Sequence, residues 1–180
     1  TDAIAEALLR TVIAYGVPAV KDPTDYEAMS EVMWCGSVSH NGLTGLGGPG
    51  DFAPHQLGHE LSAMFDIAHG ASLSAIWGDW AEYVYHAKLL RFVRYAKNVW
   101  HITEGSDDEI AAAGIRATVD YFKSIGVPTC FSEAEEIGVQ SEDVLRELTE
   151  RCTFGGTRTI GSFRVLDGKD ILKIYQAANR

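Results

Sequence analysis

Three of the chain's six histidines, His55, His59 and His69, fall within residues 54–76, PHQLGHELSAMFDIAHGASLSAI. Side chains four apart on a helix share a face, with Cβ atoms about 5–6 Å apart. His55 and His59 could therefore share a metal ion, or one could bind while the other faces a substrate. His69 leaves their stripe if the helix stops near Phe65 and Asp66, and returns beside His55 if the chain turns before His69-Gly70. Imidazole nitrogen suits zinc, iron and nickel. Three such histidines also fit a partly buried, hydrogen-bonded cluster that holds no metal. Spacing alone leaves both readings open.

Neighbouring patterns narrow the chemistry. A zincin needs the order H-E-x-x-H, whereas Glu60 follows His59 and lies outside the pair. Asp51 stands four residues before His55 as a formal D-x-x-x-H. Pro49, Gly50 and Pro54 make that stretch a loop, so Asp51 reads as a helix-entry or loop residue. Glu82 and His86 read as an exposed pair, and His40 and His101 stand alone. Trp77, Trp80 and Tyr83, at helical spacing, read as core. Cys35 lies between Trp34 and Gly36 with no basic neighbour to lower its pKa, which argues against a nucleophile.

The elements that must position these residues are helical. Residues 2–15 space Ile4, Leu8 and Val12 at helical intervals. A second helix opens at the cap-type Thr24 and Asp25, with Tyr26, Met29, Val32 and Met33 on one stripe. The glycine-rich GLGGPGDF separates it from the histidine segment, and Pro54 sits where a first helical turn tolerates proline. ASLSAIWGDWAEYVYHA and AKLLRFVRYAKNVW read as the next two helices. GSDDEIAAAGIRATVDYFKSIGVP follows, with an acidic start and the stop signals Gly126 and Pro128. SEDVLRELTERC and GKDILKIYQAANR complete the pattern. Alternating runs over residues 157–165 are too weak to build a sheet, so the fold class is all-α.

At 180 residues the chain suffices for one well-buried core, and a single domain over 1–180 is expected. A net charge of -10 leaves no electrostatic footprint for nucleic acid and opposes an anionic membrane surface. Cys35, Cys130 and Cys152 form no CxxC pair and are odd in number, which fits a reducing, cytoplasmic compartment. No apolar run approaches a membrane span, and no leader pattern opens the chain. TDAIAEALLRTVI lacks an initiator methionine and begins already in helical rhythm, as a fragment or a processed terminus does.

HQLGHELSAMFDIAHGASL resembles the second signature of the iron-containing alcohol dehydrogenases, especially the butanol dehydrogenase and broad aldehyde reductase branch. The likeness extends through DPTDYEAMSEVMW, HNGLTGLG, KNVWHITEGSDDE, YFKSIGVPT and DILKIYQAANR, in that order, over essentially the whole chain. It implies a nucleotide-binding α/β domain followed by a helical C-terminal domain of the dehydroquinate-synthase-like type, with the active site in the cleft between them. It also implies a divalent metal, Fe or Zn, held by one aspartate and three histidines. Two of those histidines match His55 and His69. The histidine between them matches His59, which is not a ligand but faces the nicotinamide and substrate. Asn41 matches a position near the cofactor. The expected reaction is NAD(P)H-dependent interconversion of small primary alcohols and aldehydes.

The departures from the family pattern are as informative. The aspartate and first histidine of that site form a D-x-x-x-H that counts back to before Thr1. GLGGPG follows a helix rather than a strand and does not match a dinucleotide fingerprint. The chain is therefore expected to be a C-terminal metal-binding helical domain. Alone it should be inactive, and with an apolar patch uncovered it should form a homo-oligomer. Two other readings remain: a metal-dependent hydrolase using all three histidines, and a non-catalytic helical interaction module.

Overall fold

The computed structural model describes residues 1–45 and 50–180, which fall into two compact units: Thr1–Gly50 with Leu90–Ala117, and Asp51–Leu89 with Thr118–Arg180. Regular structure among the described residues is helical, apart from one isolated antiparallel bridge between Ile160 and Leu166. The weak alternation over residues 157–165 thus yields a bridge and no sheet. Most of the glycine-rich stretch read as a loop, residues 46–49, lies outside the described residues.

The first unit holds α1 (Asp2–Lys21) and α2 (Tyr26–His40), with most of α5 (Leu89–Trp100) and the first part of α6 (Asp107–Ser124). Helix α1 runs beyond residue 15, through Pro18. The proline gives up its own amide bond, and the helix continues to Lys21 with Gly16 and Ala19 buried on either side of it. By length and composition α1 is apolar enough to cross a membrane, contrary to the sequence expectation. Its polar side chains are engaged by α5: Arg91 pairs with Asp2, Arg94 with Glu6, and Arg10 donates to the Asn98 carbonyl at 2.7 Å. Asp25 caps α2 by accepting from Ala28 N at 3.1 Å, as its side chain predicts.

The stripe read on α2 is only partly buried: Met29 and Val32 are half-buried, whereas Tyr26 and Met33 are 86% and 67% exposed. Ala28 and Cys35 are buried, and Trp34 is 69% exposed. Together with Ile4, Leu9 and Val20 they leave this unit rich in apolar surface. Phe92, Val93, Ala96 and Val99 of α5 are buried, as are Ile110, Ala111 and Ile115 of α6. A Cβ on Gly114 would lie 2.6 Å from the Ala96 Cβ, so glycine is what lets these two helices meet there.

The second unit contains α3 (Ala53–Phe65), α4 (His69–Val84), α7 (Glu142–Cys152), α8 (Gly168–Ala178) and the end of α6. Helix α3 packs on α4 and α7, and α8 packs on both α4 and α7. Leu57, Leu61, Ile76, Leu145, Leu148, Ile171, Ile174 and Tyr175 form its fully buried centre. Burying each such aliphatic side chain contributes about 1.5–3 kcal/mol. Trp80 belongs to this core, 5% exposed, as its spacing predicts. Asp167 and Asp170 form a capping box that starts α8. Ser141 caps α7.

Candidate functional site

Helix α3 begins where the chain leaves Asp51. One oxygen of that carboxylate accepts from Ala53 N at 2.9 Å, and the other from Ser162 N at 2.9 Å and Phe163 N at 2.7 Å. Asp51 is thus the helix-entry residue that the sequence predicts, and it also ties the 162–163 loop to the start of α3. The chain needs Gly161 to enter that loop. Its φ is +90°, and a Cβ there would lie 2.4 Å from the Arg164 carbonyl oxygen. Arg164 and Tyr83 both bond Asp170 Oδ1, at 3.0 and 2.6 Å, which holds the far side of the loop on α8 and α4.

Helix α3 ends at Asp66, whose left-handed φ of 56° turns the chain while its amide still bonds Ser62 O. Three residues later α4 starts at His69. The turn returns His69 to the His55 and His59 face: ring centroids lie 5.3 Å apart for His55–His69, 5.0 Å for His59–His69 and 6.4 Å for His55–His59. His55 is half-buried, and His59 and His69 are exposed. The Phe52 and His55 rings meet in a T-shaped pair with centroids 5.3 Å apart.

The rings do not play equal parts. Two imidazoles sharing one ion with metal–nitrogen bonds of about 2.1 Å place their centroids about 5 Å apart at a tetrahedral angle. The tilted pair His55–His69, at 5.3 Å and 59°, fits that spacing. His59 is stacked on His69 at 27°. Because imidazole lone pairs lie in the ring plane, stacking presents faces rather than a common ligand point. Among the described residues no group of three His, Cys, Asp or Glu side chains is arranged to hold a metal ion. His55 and His69 thus meet at the spacing that two imidazoles on one ion would take, with the His59 ring beside them.

Small residues set the spacing between α3 and α4. Gly58 lies between the two α3 histidines, and a Cβ there would meet Ser72 Oγ at 2.9 Å and Leu73 Cδ2 at 3.1 Å. Ser72 Oγ donates to the His69 carbonyl at 2.9 Å and accepts from Ser62 Oγ at 3.1 Å. Sequence reasoning missed this seam, although Gly58 and Ser62, four apart and both small, were its available signal. Helix α3 is also held by Tyr175 Oη, which donates to the Leu57 carbonyl at 2.9 Å. Cys152 Sγ reaches the Gln56 carbonyl at 3.8 Å.

Asn41 belongs to the first unit, where it is exposed at the end of α2 and its side-chain oxygen accepts from Leu43 N at 3.0 Å. His86 lies beyond α4, in a 3-10 turn, stacked on Tyr85 at 4.0 Å. The groove lined by Glu60, Glu147, Glu150, Arg151, Phe154 and Gly155 contains none of the three histidines.

The sequence profile of the Fe-containing alcohol dehydrogenase family, C-terminal, matches residues 1–179. The chain is 40% identical over 177 residues to NADH-dependent butanol dehydrogenase A of Clostridium acetobutylicum, covering 97% of this chain and 44% of that protein. It is 37% identical over 181 residues to the NADPH-dependent aldehyde reductase YqhD of Escherichia coli, covering 98% and 45%. Among solved structures, NADH-dependent butanol dehydrogenase A from Thermotoga maritima superposes with a TM-score of 0.90 at 28% identity, over 99% of this chain and 46% of the other. The substrate- and cofactor-free form of E. coli YqhD gives a TM-score of 0.88 at 35% identity, over 96% and 44%. The chain spans somewhat under half the length of these relatives.

Proposed function

Because the chain belongs to the Fe-containing alcohol dehydrogenase family, we propose that its protein interconverts small primary alcohols and aldehydes by hydride transfer with a nicotinamide dinucleotide. The observation that carries this reading is the meeting of His55 and His69 across the turn from α3 to α4, with His59 exposed beside them. His55 and His69 would hold half of a divalent metal's ligand set, and the family resemblance implies an aspartate and a further histidine for the rest. When bound, the metal supplies Lewis-acid polarisation of the substrate oxygen.

The remaining work falls to the chain's own side chains. His59 is not a ligand: it orients the substrate, and its unprotonated ring nitrogen takes the proton from an alcohol hydroxyl and returns it in aldehyde reduction. Phe52, 61% exposed and edge-on to His55, keeps one flank of the pair apolar and limits water there. Asn41 offers its carboxamide hydrogens to the cofactor. The names of the relatives include both NADH- and NADPH-dependent enzymes, so the proposal extends to a nicotinamide dinucleotide and not to one of the two.

Metal content of single alanine variants of the full-length protein tests the reading. His55→Ala and His69→Ala should lose the metal, whereas His59→Ala should keep it and lose turnover. Equal metal loss in all three variants would instead establish a three-histidine site and sink the assignment of His59.

A further inference from the structure

We propose that Tyr175 is a positioning residue for the metal half-site, holding α3 at the rotation that aims His55 and His59. The inference rests on the function proposed above and adds to it a residue 120 positions from His55 that touches neither metal nor substrate.

Tyr175 is completely buried on α8, and its hydroxyl donates to the Leu57 carbonyl, between the two histidines of α3. The adjacent carbonyl, Gln56, is approached by the Cys152 thiol from α7. Inside a helix each of these carbonyls already serves an amide four residues ahead, so α3 needs neither extra donor to satisfy its backbone. Successive carbonyls of a helix lie about 100° apart around its axis. Two ties from two different helices therefore oppose both rotation and sliding of α3, which one tie cannot do. Burial raises the tyrosine well above its ordinary value and the thiol to about 11, so both groups keep the hydrogen they donate.

One residue beyond Leu57, Gly58 sits against Ser72, and Ser72 bonds the carbonyl of His69. Helix α3 is thus held between α4, which brings His69, and the Tyr175–Cys152 pair. A bland alternative is that a buried tyrosine merely finds the nearest acceptor for its hydroxyl. That alternative predicts that loss of the hydroxyl affects stability and leaves the metal alone.

Cobalt(II) titration of the metal-stripped full-length protein, read by visible absorption, separates the two. Tyr175→Phe keeps the ring and should weaken cobalt binding about tenfold, the lower range for outer-shell partners of metal ligands, with a shifted ligand-field spectrum. Ile171→Val loosens the same helix without removing a tie to α3, and should leave affinity and spectrum unchanged. Wild-type affinity in Tyr175→Phe, or an equal loss in Ile171→Val, overturns the proposal. If Tyr175→Phe does not fold, Cys152→Ala decides: weakened cobalt binding supports the two-tie arrangement, and unchanged binding overturns it. His55→Ala and His69→Ala keep the two failures distinct. If they retain cobalt, the proposed function falls and this inference with it. If they lose cobalt while Tyr175→Phe keeps it, only this inference falls.

Discussion

Gly58 and Ser72 approach so closely that a Cβ on residue 58 would stand 2.9 Å from the serine oxygen. The substitution Gly58→Ala sets two effects against each other. Alanine improves helix propensity by about 1 kcal/mol, while overpacking a tight interface costs about 1–3 kcal/mol. The serine cannot rotate away without giving up its bonds to His69 O and Ser62, so the steric cost should win. Urea unfolding should show net destabilisation, and the cost should shrink in a Ser72→Ala background, where the clashing oxygen is absent. Equal costs in both backgrounds would break the proposed link between the two positions.

Asp51→Ala removes the acceptor shared by three backbone amides. Bonds to a charged acceptor are worth about 1.5–3 kcal/mol when partly shielded, and water replaces some of that here. A loss of about 2 kcal/mol in denaturant stability is expected, with faster amide exchange at Ser162 and Phe163. Unchanged exchange at those two amides would show that the loop is held by other means.

Cys152 should resist alkylation. Burial, the largest influence, raises its thiol to about 11, so at pH 8 almost none is thiolate. Peptide mapping after iodoacetamide treatment at pH 8 should find Cys152 unmodified in the native protein and modified in urea. Rapid native labelling would contradict the packing described for α7 against α3.

Asp79 offers a test by pH. Burial raises its carboxyl above the ordinary 3.8, and the Arg180 guanidinium at 2.7 Å opposes the rise without cancelling it. A carboxyl raised in the fold favours folding below its ordinary value, and that contribution is lost as pH climbs through the folded value. The stability of Asp79→Asn relative to wild type should therefore improve from pH 3 towards neutrality. A relative stability that falls over the same range would mean that the Arg180 pairing dominates.

The helical class and most element positions were legible because periodicity, caps and glycine stops are local signals. Asp25 capping α2 and Asp66 ending α3 both lay within reach of their own segments. The return of His69 to His55 was legible for the same reason, since only a short turn separates their helices. Helix α1 running through Pro18 was not, because local rules predict a break at a proline that the helix here accommodates. The buried face of α2 was only partly legible: Met29 and Val32 of its stripe are half-buried, but Tyr26 and Met33 share their periodicity and stand exposed, while Ala28 and Cys35 occupy the core. The ties from Asp51 to Phe163 and from Tyr175 to Leu57 cross 112 and 118 residues, and no local pattern announces such partners. Periodicity could not divide the three histidines into ligands and neighbour. The family resemblance made that division.

The turn at Asp66 has a kinetic side. His55 and His69 are 14 residues apart in sequence, and closing so short a segment costs little chain entropy. The Tyr175 bond to Leu57 waits for a chain segment more than 100 residues away in sequence, and contacts of such high order form slowly. During folding the two imidazoles should therefore come together first, in a hairpin of helices still free to swivel, and acquire their final bearing only when α8 docks.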